Sequence, residues 1–575
     1  MPNTLKRWNN FIHMQIFWKE HRAGRRTRGN IAAVILPSLV AGALLGWSLI
    51  LACNAVDPCL VSREWDIMRD MGIAQSILDG RYPEDPVLAG EISWYNPLTG
   101  LMLLAAHFLT DIPLMRLAVV MGPYLNLLAP LAFYFFAASF FGRAAGLAGL
   151  CLMLFGKDGM SPYWTCAYSP WLLASVYSLG LLFITLAAGT KAVERKTSST
   201  FLLAGLLLGI TFLAHTAPAI IAGGTLLLLM LWEQYRLRRV EGRPKEARTL
   251  LGLFLLLLCM AFFVSLPYSG PILWRYQFHV LNPWPSLYAS QNVELHNLPG
   301  QLWHAVSLRN GVALLGALAV FRTRDNRGAR VVICWGLVSC LLMAQHYAWQ
   351  ALRLNDVVLP SVVPGHHAAI HLAAVRTVLF GVGVVALGSF AGRGLAVLSR
   401  RFGLWRAEGL ALPRTGAWTA AALAGLILYG HNPYSGRIDF QPPGGSAYYD
   451  LFERHLPMYC WIRDHTPPDA VFLCPDENLG IQVVMPAGRK LVNPMLLYFN
   501  PYVERGPYTL RQEALLKALE TGDKDALCDV AGQYPRLYVL LDEPVDKEPP
   551  FATRVVEAGG SVLYEIQYCW KNLDD

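Results

Sequence analysis

Residues 57–98 read DPCLVSREWDIMRDMGIAQSILDGRYPEDPVLAGEISWYNPL, and their reading decides the class of this chain. The stretch is the first long polar interruption after the first hydrophobic run. It is dense in carboxylates (Asp57, Glu64, Asp66, Asp70, Asp79, Glu84, Asp85, Glu91) and carries Trp65, Tyr82, Trp94 and Tyr95. A loop that only joins two membrane helices needs neither this length nor this chemistry. Ile67, Met71, Ala74 and Leu78 recur at i, i+4, i+7 and i+11, which predicts an amphipathic helix. Asp66 and Asp70, four apart, share a different face. Asp79-Gly80 provides a C-terminal stop. The helix is expected on the bilayer surface, its acids toward an aqueous cavity. A solvated amphipathic linker is the plainer alternative.

The chain around this stretch is that of a membrane protein. Of 575 residues, 54% are hydrophobic and only 15% charged, with a mean hydropathy of +0.36. Soluble domains carry nearer a quarter charged residues. Apolar runs of membrane length recur over the first three quarters of the chain, the first at 31–53. The net charge of +8 does not point to nucleic acid, because Lys and Arg cluster in short loops as the positive-inside rule expects. Residues 1–30 are basic, lack a clear cleavage site, and are read as a cytoplasmic N-terminus.

Placing the basic loops 191–196, 235–248, 322–330 and 392–406 in the cytoplasm gives a consistent alternation from residue 200 onward. The loop 54–96 and the tail then lie outside. Between residues 95 and 191 an odd number of crossings is required, yet four apolar runs are present. One must be half-length or re-entrant, and 97–110 and 144–156 are the short ones. About eleven to thirteen spans are expected in a transmembrane domain over 31–429.

From residue 430 a Pro/Gly-rich linker leads into a different composition. Strands are predicted at Ala470–Leu473, Leu537–Leu541 and Val562–Ile566, and helices at Leu510–Leu519 and Asp525–Gly532. Residues 430–575 therefore read as a small extracytoplasmic α/β domain. The eleven cysteines form no CxxC pair, which argues against a zinc site. Four of them, Cys460, Cys474, Cys528 and Cys569, fall in this tail, where disulfides are permitted if it lies outside.

The run Asp66–Leu78, then GRYP, then WYNPL resembles the first exoplasmic loop of the GT-C superfamily. These are integral-membrane glycosyltransferases that use polyprenyl-phosphate-linked sugars, among them mannosyl-, aminoarabinosyl- and arabinofuranosyltransferases. In that superfamily an acid opens the loop helix, an Ala and Leu pair follows, and an aromatic-Pro-Leu segment starts the second span. Asp66, Ala74, Leu78 and Tyr95-Asn96-Pro97-Leu98 occupy those places. Many relatives have two adjacent acids, whereas Ile67 follows Asp66 here. The resemblance implies a GT-C-like polytopic α-helical fold and a cell-envelope glycan enzyme of the inner membrane, bacterial in type.

Transfer from such a donor needs a base for the acceptor hydroxyl, cationic groups for the departing phosphate, and a groove for the lipid. Asp66 is the expected catalytic base. Asp70 supports it, orients the acceptor, or shares a divalent cation. Asp158 is the match for a second acidic loop residue, in KDGMSPYWTC. Phosphate-binding candidates are Lys157, His215 in FLAHTAP, and His367, His371 and Arg376 in HHAAIHLAAVR. Arg376 lies inside an apolar run and should face protein or a cavity. For Lys157 snorkelling is an equal reading, and for His215 a satisfied interfacial histidine. Trp94 and Tyr95 are candidates for sugar or acceptor contact. Metal dependence stays open.

The expected activity is inverting transfer of a hexose or pentose to a lipid, glycan or protein acceptor at the exoplasmic face. A polymerase or ligase using oligosaccharide-lipid donors shares most of this chemistry. A transporter or flippase would need ionisable groups along a midmembrane path, whereas these gather at one face. Walker, HExxH and GxSxG motifs are missing from the sequence.

Overall fold

The computed structural model describes residues 30–156, 168–283, 285, 293–298, 300, 306–324, 326–351, 363–402, 411–431, 440, 447–544 and 551–566. The membrane part comprises α1 (Asn30–Val56), α2 (Trp65–Leu78), α3 (Leu98–Thr110), α4 (Leu114–Val120), α5 (Gly122–Asn126), α6 (Leu128–Phe141) and α7 (Arg143–Phe155). It continues with α8 (Ala174–Arg195), α9 (Ser198–Ala214), α10 (Thr216–Tyr235) and α11 (Pro244–Tyr276). Helices α12 (Leu308–Arg322), α13 (Arg327–Ala351), α14 (Gly365–Arg401) and α15 (Ala411–His431) complete it.

Among the described residues, seven helical segments are long and apolar enough to cross a membrane, beginning with Ile35–Val56 and ending with Gly365–Ser399. The chain is a multi-pass membrane protein. The lower end of the expected eleven to thirteen spans is reached only by adding the bent pair α3–α4 and the shorter apolar helices α7, α9 and Thr415–Gly430. A span needs about 20 apolar residues at 1.5 Å rise each, and these helices fall short of that. The parity problem also finds its place here. Helices α3 and α4 meet at 109°, a broken span or re-entrant loop. The bend falls at Asp111-Ile112-Pro113, where Asp111 takes a left-handed φ of 58° and caps α3. The apolar run within Leu308–Arg322 forms the 15-residue α12, packed on α14.

The C-terminal domain has α16 (Ala447–Arg454), α17 (Leu456–His465), α18 (Gly506–Thr521) and α19 (Lys524–Ala531) around a five-stranded sheet. Its strands are β1 (Val471–Leu473), β2 (Lys490–Leu491), β3 (Leu537–Leu541), β4 (Ala552–Ala558) and β5 (Ser561–Ile566). The order is β2-β1-β3-β5-β4, with β1 parallel to β2 and β3, and β5 antiparallel to β3 and β4. The predicted strands and helices of the tail correspond to β1, β3, β5, α18 and α19. The two-residue β2 and the charged edge strand β4 carry no apolar run that would announce them. Cys460 and Cys474 are free, and Cys528 is disulfide-bonded.

Helix α2 starts at the acid-bearing first turn and ends at Leu78, with Gly80 at φ +72°, as the sequence predicts. It does not lie free on a surface. Residues 67–76 are buried on every side. Ile67, Met68, Met71 and Ala74 share one core with Trp171, Tyr177, Tyr459, Phe472, Met485 and Tyr538. The periodicity marks only one of the buried faces. The others are covered by α3 and α4 on one side and by the C-terminal domain on another.

Two glycines allow this embrace. A Cβ on Gly72 would lie 2.4 Å from the Met485 carbonyl oxygen, and one on Gly100 would lie 3.1 Å from the Asp70 carbonyl oxygen. The loop after α2 then joins the sheet edge. Leu88 bridges Leu491 of β2 in parallel, and the Leu491 N–H donates to the Val87 carbonyl at 2.7 Å. Buried Arg489 pairs with Asp79 at 2.8 Å, and Lys490 Nζ donates to the Asp85 carbonyl.

Candidate active site

The acid-bearing turn of α2 opens the site. Asp66 stands in its first turn, where the helix dipole favours a carboxylate, and its side chain is 45% exposed. Arg69, one turn on, is buried between two acids. Its Nη1 reaches Asp66 Oδ1 at 3.3 Å, while Nη2 and Nε reach Asp70 Oδ1 at 3.0 and 3.1 Å. The guanidinium lies over the Tyr95 ring, 3.1 Å from its centroid, with the Tyr498 ring at 5.8 Å. Tyr498 also donates its hydroxyl to Asp66 Oδ1 at 3.4 Å.

Burial opposes charge on Arg69, yet Tyr95, Asp70 and Asp66 together hold its pKa above the ordinary value. Asp70 is 2% exposed, and burial pushes its carboxyl up to about 6 against the pull of Arg69. Asp70 is thus shut away from any acceptor and serves to hold the arginine. Asp66, the outer member, is the carboxylate a substrate can meet.

Asn96 fixes the aromatic segment to the α9–α10 hairpin, donating to the Phe212 carbonyl at 2.6 Å and Thr216 Oγ1 at 3.2 Å. His215 caps α10 there, its Nδ1 accepting from the Ala217 N–H at 3.3 Å. That bond leaves Nε2 as the proton-bearing nitrogen. The His215 ring is 4.5 Å from the His367 ring and 6.3 Å from the Tyr95 ring. His367 and Asp66 interact electrostatically, and buried His371 interacts with both His215 and His367. Asp66, Tyr95, His215, His367 and His371, drawn from four separated stretches, therefore converge. Trp94 stands edge-on to Tyr95 at 5.3 Å, and both residues are half-buried.

Arg376 lies farther along α14, its Nη1 3.5 Å from Asn310 Oδ1 on α12. Lys157 and Asp158 lie outside the described residues. Among the described residues, no group of three or more His, Cys, Asp or Glu is placed to hold a metal ion.

Sequence reasoning overlooked Arg69 and Tyr498. For Arg69 a signal existed, a cation set between Asp66 and Asp70 on one helix. Tyr498 is 432 residues from Asp66, and no local pattern links them. A third omission is Asp85, which accepts the N–H groups of Val87 and Leu88 at 2.9 and 3.0 Å. Burial raises Asp85 to about 6 and lowers its neighbour Lys490 to about 8. With Glu91, which accepts from Tyr276 at 2.7 Å and Tyr508 at 3.4 Å, it secures the loop wall of the site.

No protein-family model matches the sequence. No curated protein matches it either. Solved structures do match. ArnT from Cupriavidus metallidurans bound to undecaprenyl phosphate is similar at a TM-score of 0.50 and 12% identity, over 94% of this chain and 99% of that one. The apo form of the same protein gives 0.50 and 12%, over 94% and 98%. An oligosaccharyltransferase from Archaeoglobus fulgidus in complex with zinc and sulfate gives 0.47 and 12%, over 87% and 68%. Because ArnT is matched over nearly its whole length, in membrane helices and tail together, the fold of this chain is the GT-C fold.

Proposed function

We propose that this chain is an integral-membrane glycosyltransferase that moves a sugar from a polyprenyl-phosphate donor to an acceptor hydroxyl on the exoplasmic face. The observation that carries the reading is the half-exposed carboxylate of Asp66, held by Arg69 at 3.3 Å and Tyr498 at 3.4 Å beside the His215–His367 pair. The base, the cation and the imidazoles sit together at one end of the spans. The GT-C fold supports it, and so does the undecaprenyl phosphate bound to ArnT.

In the proposed reaction the acceptor is a lipid, glycan or protein. Asp66 takes the proton of its hydroxyl. The oxygen attacks the anomeric carbon from the face opposite the phosphate, and the C–O bond to phosphate breaks with inversion. The bonding electrons leave on the lipid phosphate, which Arg69 and the imidazole N–H groups steady. Tyr95 and Trp94 offer ring faces to sugar or acceptor. A hexosyl or pentosyl donor fits this chemistry equally. The basic loops favour a cytoplasmic N-terminus and an exoplasmic α/β domain, as in a bacterial inner membrane. The disulfide at Cys528 agrees with an oxidising compartment.

The test is transfer by the purified full chain from a panel of polyprenyl-phosphate monosaccharides, with and without a chelator. A product with inverted anomeric configuration, lost in Asp66→Asn, is the expected result. Lipid or sugar movement across liposomes without any transfer would replace this reading with a transporter.

A further inference from the structure

At the other end of the bundle, α12, α14 and the α6–α7 junction border a shallow groove that is open on one side. Helix α14 lines it with Val382, Val385, Ala386, Ser389 and Arg393, at i, i+3, i+4, i+7 and i+11, so one face of one helix runs from apolar floor to cationic mouth. His371 and Arg393 are 22 residues apart on α14, a rise of about 33 Å at 1.5 Å each. The cationic mouth of the groove is thus a hydrocarbon thickness away from the candidate active site.

Its polar end is incompletely satisfied. Ser389 is 4% exposed, lines the groove, and its hydroxyl has no hydrogen-bond partner among the described residues. Arg393 uses only Nε, donating to the Ser389 carbonyl at 3.4 Å, and has no carboxylate partner among the described residues. Thr323 Oγ1 donates to the Ala319 carbonyl at 3.0 Å and keeps its acceptor capacity. Arg143 and Arg322 flank the lining residues Ala145 and Thr323 in sequence. They too lack a carboxylate partner among the described residues. Around the groove, Leu318, Phe321, Leu387 and Phe390 are 42–70% exposed, as side chains facing lipid tails are.

We infer that this groove binds an anionic glycerophospholipid of the leaflet opposite the active site, with one acyl chain lying along the open faces of α12 and α14 and the phosphodiester on Arg393 and Ser389. The walls are apolar and open toward the bilayer, which selects a chain. Unpaired guanidinium and hydroxyl donors at the mouth select a single negative phosphate. The assignment does not depend on the proposed transfer reaction.

Native mass spectrometry and thermal unfolding of the delipidated full chain in detergent test it, with phosphatidylglycerol and phosphatidylcholine of equal chain length. Phosphatidylglycerol should bind at least tenfold tighter and raise Tm by several degrees. Arg393→Gln should abolish both effects, while Arg238→Gln, an exposed arginine elsewhere, should keep them. Ala386→Leu, which fills the groove without changing charge, should weaken both lipids alike. Equal binding of the two lipids by the unaltered chain overturns the inference. So does full binding by Arg393→Gln or Ala386→Leu, or an equal shift with inorganic phosphate alone.

Discussion

The Tyr498 hydroxyl lies 3.4 Å from Asp66 Oδ1, although 432 residues separate the two. One belongs to the C-terminal domain and the other to the first loop helix. The tail is therefore part of the wall around the proposed base, not an appendage. Tyr498→Phe removes one neutral donor and little packing. Activity should fall by about tenfold or less, the worth of a single hydrogen bond near 1 kcal/mol, with Tm almost unchanged. Steady-state transfer kinetics beside a thermal scan will check this.

Asp66→Asn keeps the shape of the site and removes the base. Transfer should fall by about 10²- to 10⁴-fold, the usual weight of general base catalysis. The side chain is 45% exposed, so folding should be preserved. An Asn variant that turns over at the unaltered rate would remove Asp66 from the mechanism.

Arg69→Met leaves Asp70 buried at 2% exposure without its partner. Losing one member of such a pair costs about 3–5 kcal/mol. Adding Asp70→Leu should restore most of that stability, since it removes the orphaned charge. Transfer should remain lost in the double variant, because the cation beside Asp66 is still missing. Denaturation midpoints and activity measured on the same preparations separate the two effects.

The pH dependence follows from Asp70, whose pKa is raised by burial from 3.8 to about 6. A raised carboxyl binds its proton more tightly folded than unfolded. Its stabilising contribution is therefore full below about pH 4 and is lost as pH rises through about 6. Activity runs the other way. Protonating Asp70 frees Arg69 from its anchor, so transfer should fall as pH drops below about 6. Asp85 is raised to a similar value but only secures the loop, so Asp85→Asn should keep this acid limb. Lys490 has the opposite sign. Burial lowers its pKa from 10.5 to about 8, so its contribution is present above 10.5 and lost as pH falls through 8. pH–rate profiles and pH-dependent melting of the unaltered chain and Asp85→Asn separate these contributions.

Much of the site could be read from residues close in sequence. The periodicity of Ile67, Met71, Ala74 and Leu78 located α2 and its end at Leu78, because local hydrogen bonding and apolar spacing set a helix. The bend at Asp111–Pro113 fell where the count of crossings required an irregularity. His215 and His367 were separate candidates at helix ends, and chain order alone could not say that their rings lie 4.5 Å apart. Arg69 was hidden for a different reason. On a helix taken to be half-solvated, an arginine between acids reads as surface charge, and its role depends on being buried.

By itself the sequence determined the membrane class, the position of the loop helix, the acids on it and most of the α/β tail, all consequences of local hydrophobic pattern and helix or strand period. Tertiary structure alone decided which acid stays open and which is shut away. The tail docks on α2 through Gly72 and Arg489, helix α3 closes over Asp70 through Gly100, and Asp66 is left at the rim beside Tyr498. That choice comes from contacts spanning more than 400 residues, such as Arg489 with Asp79 at a separation of 410. The burial that sets the charge of each carboxylate is supplied by distant chain, which no local pattern encodes.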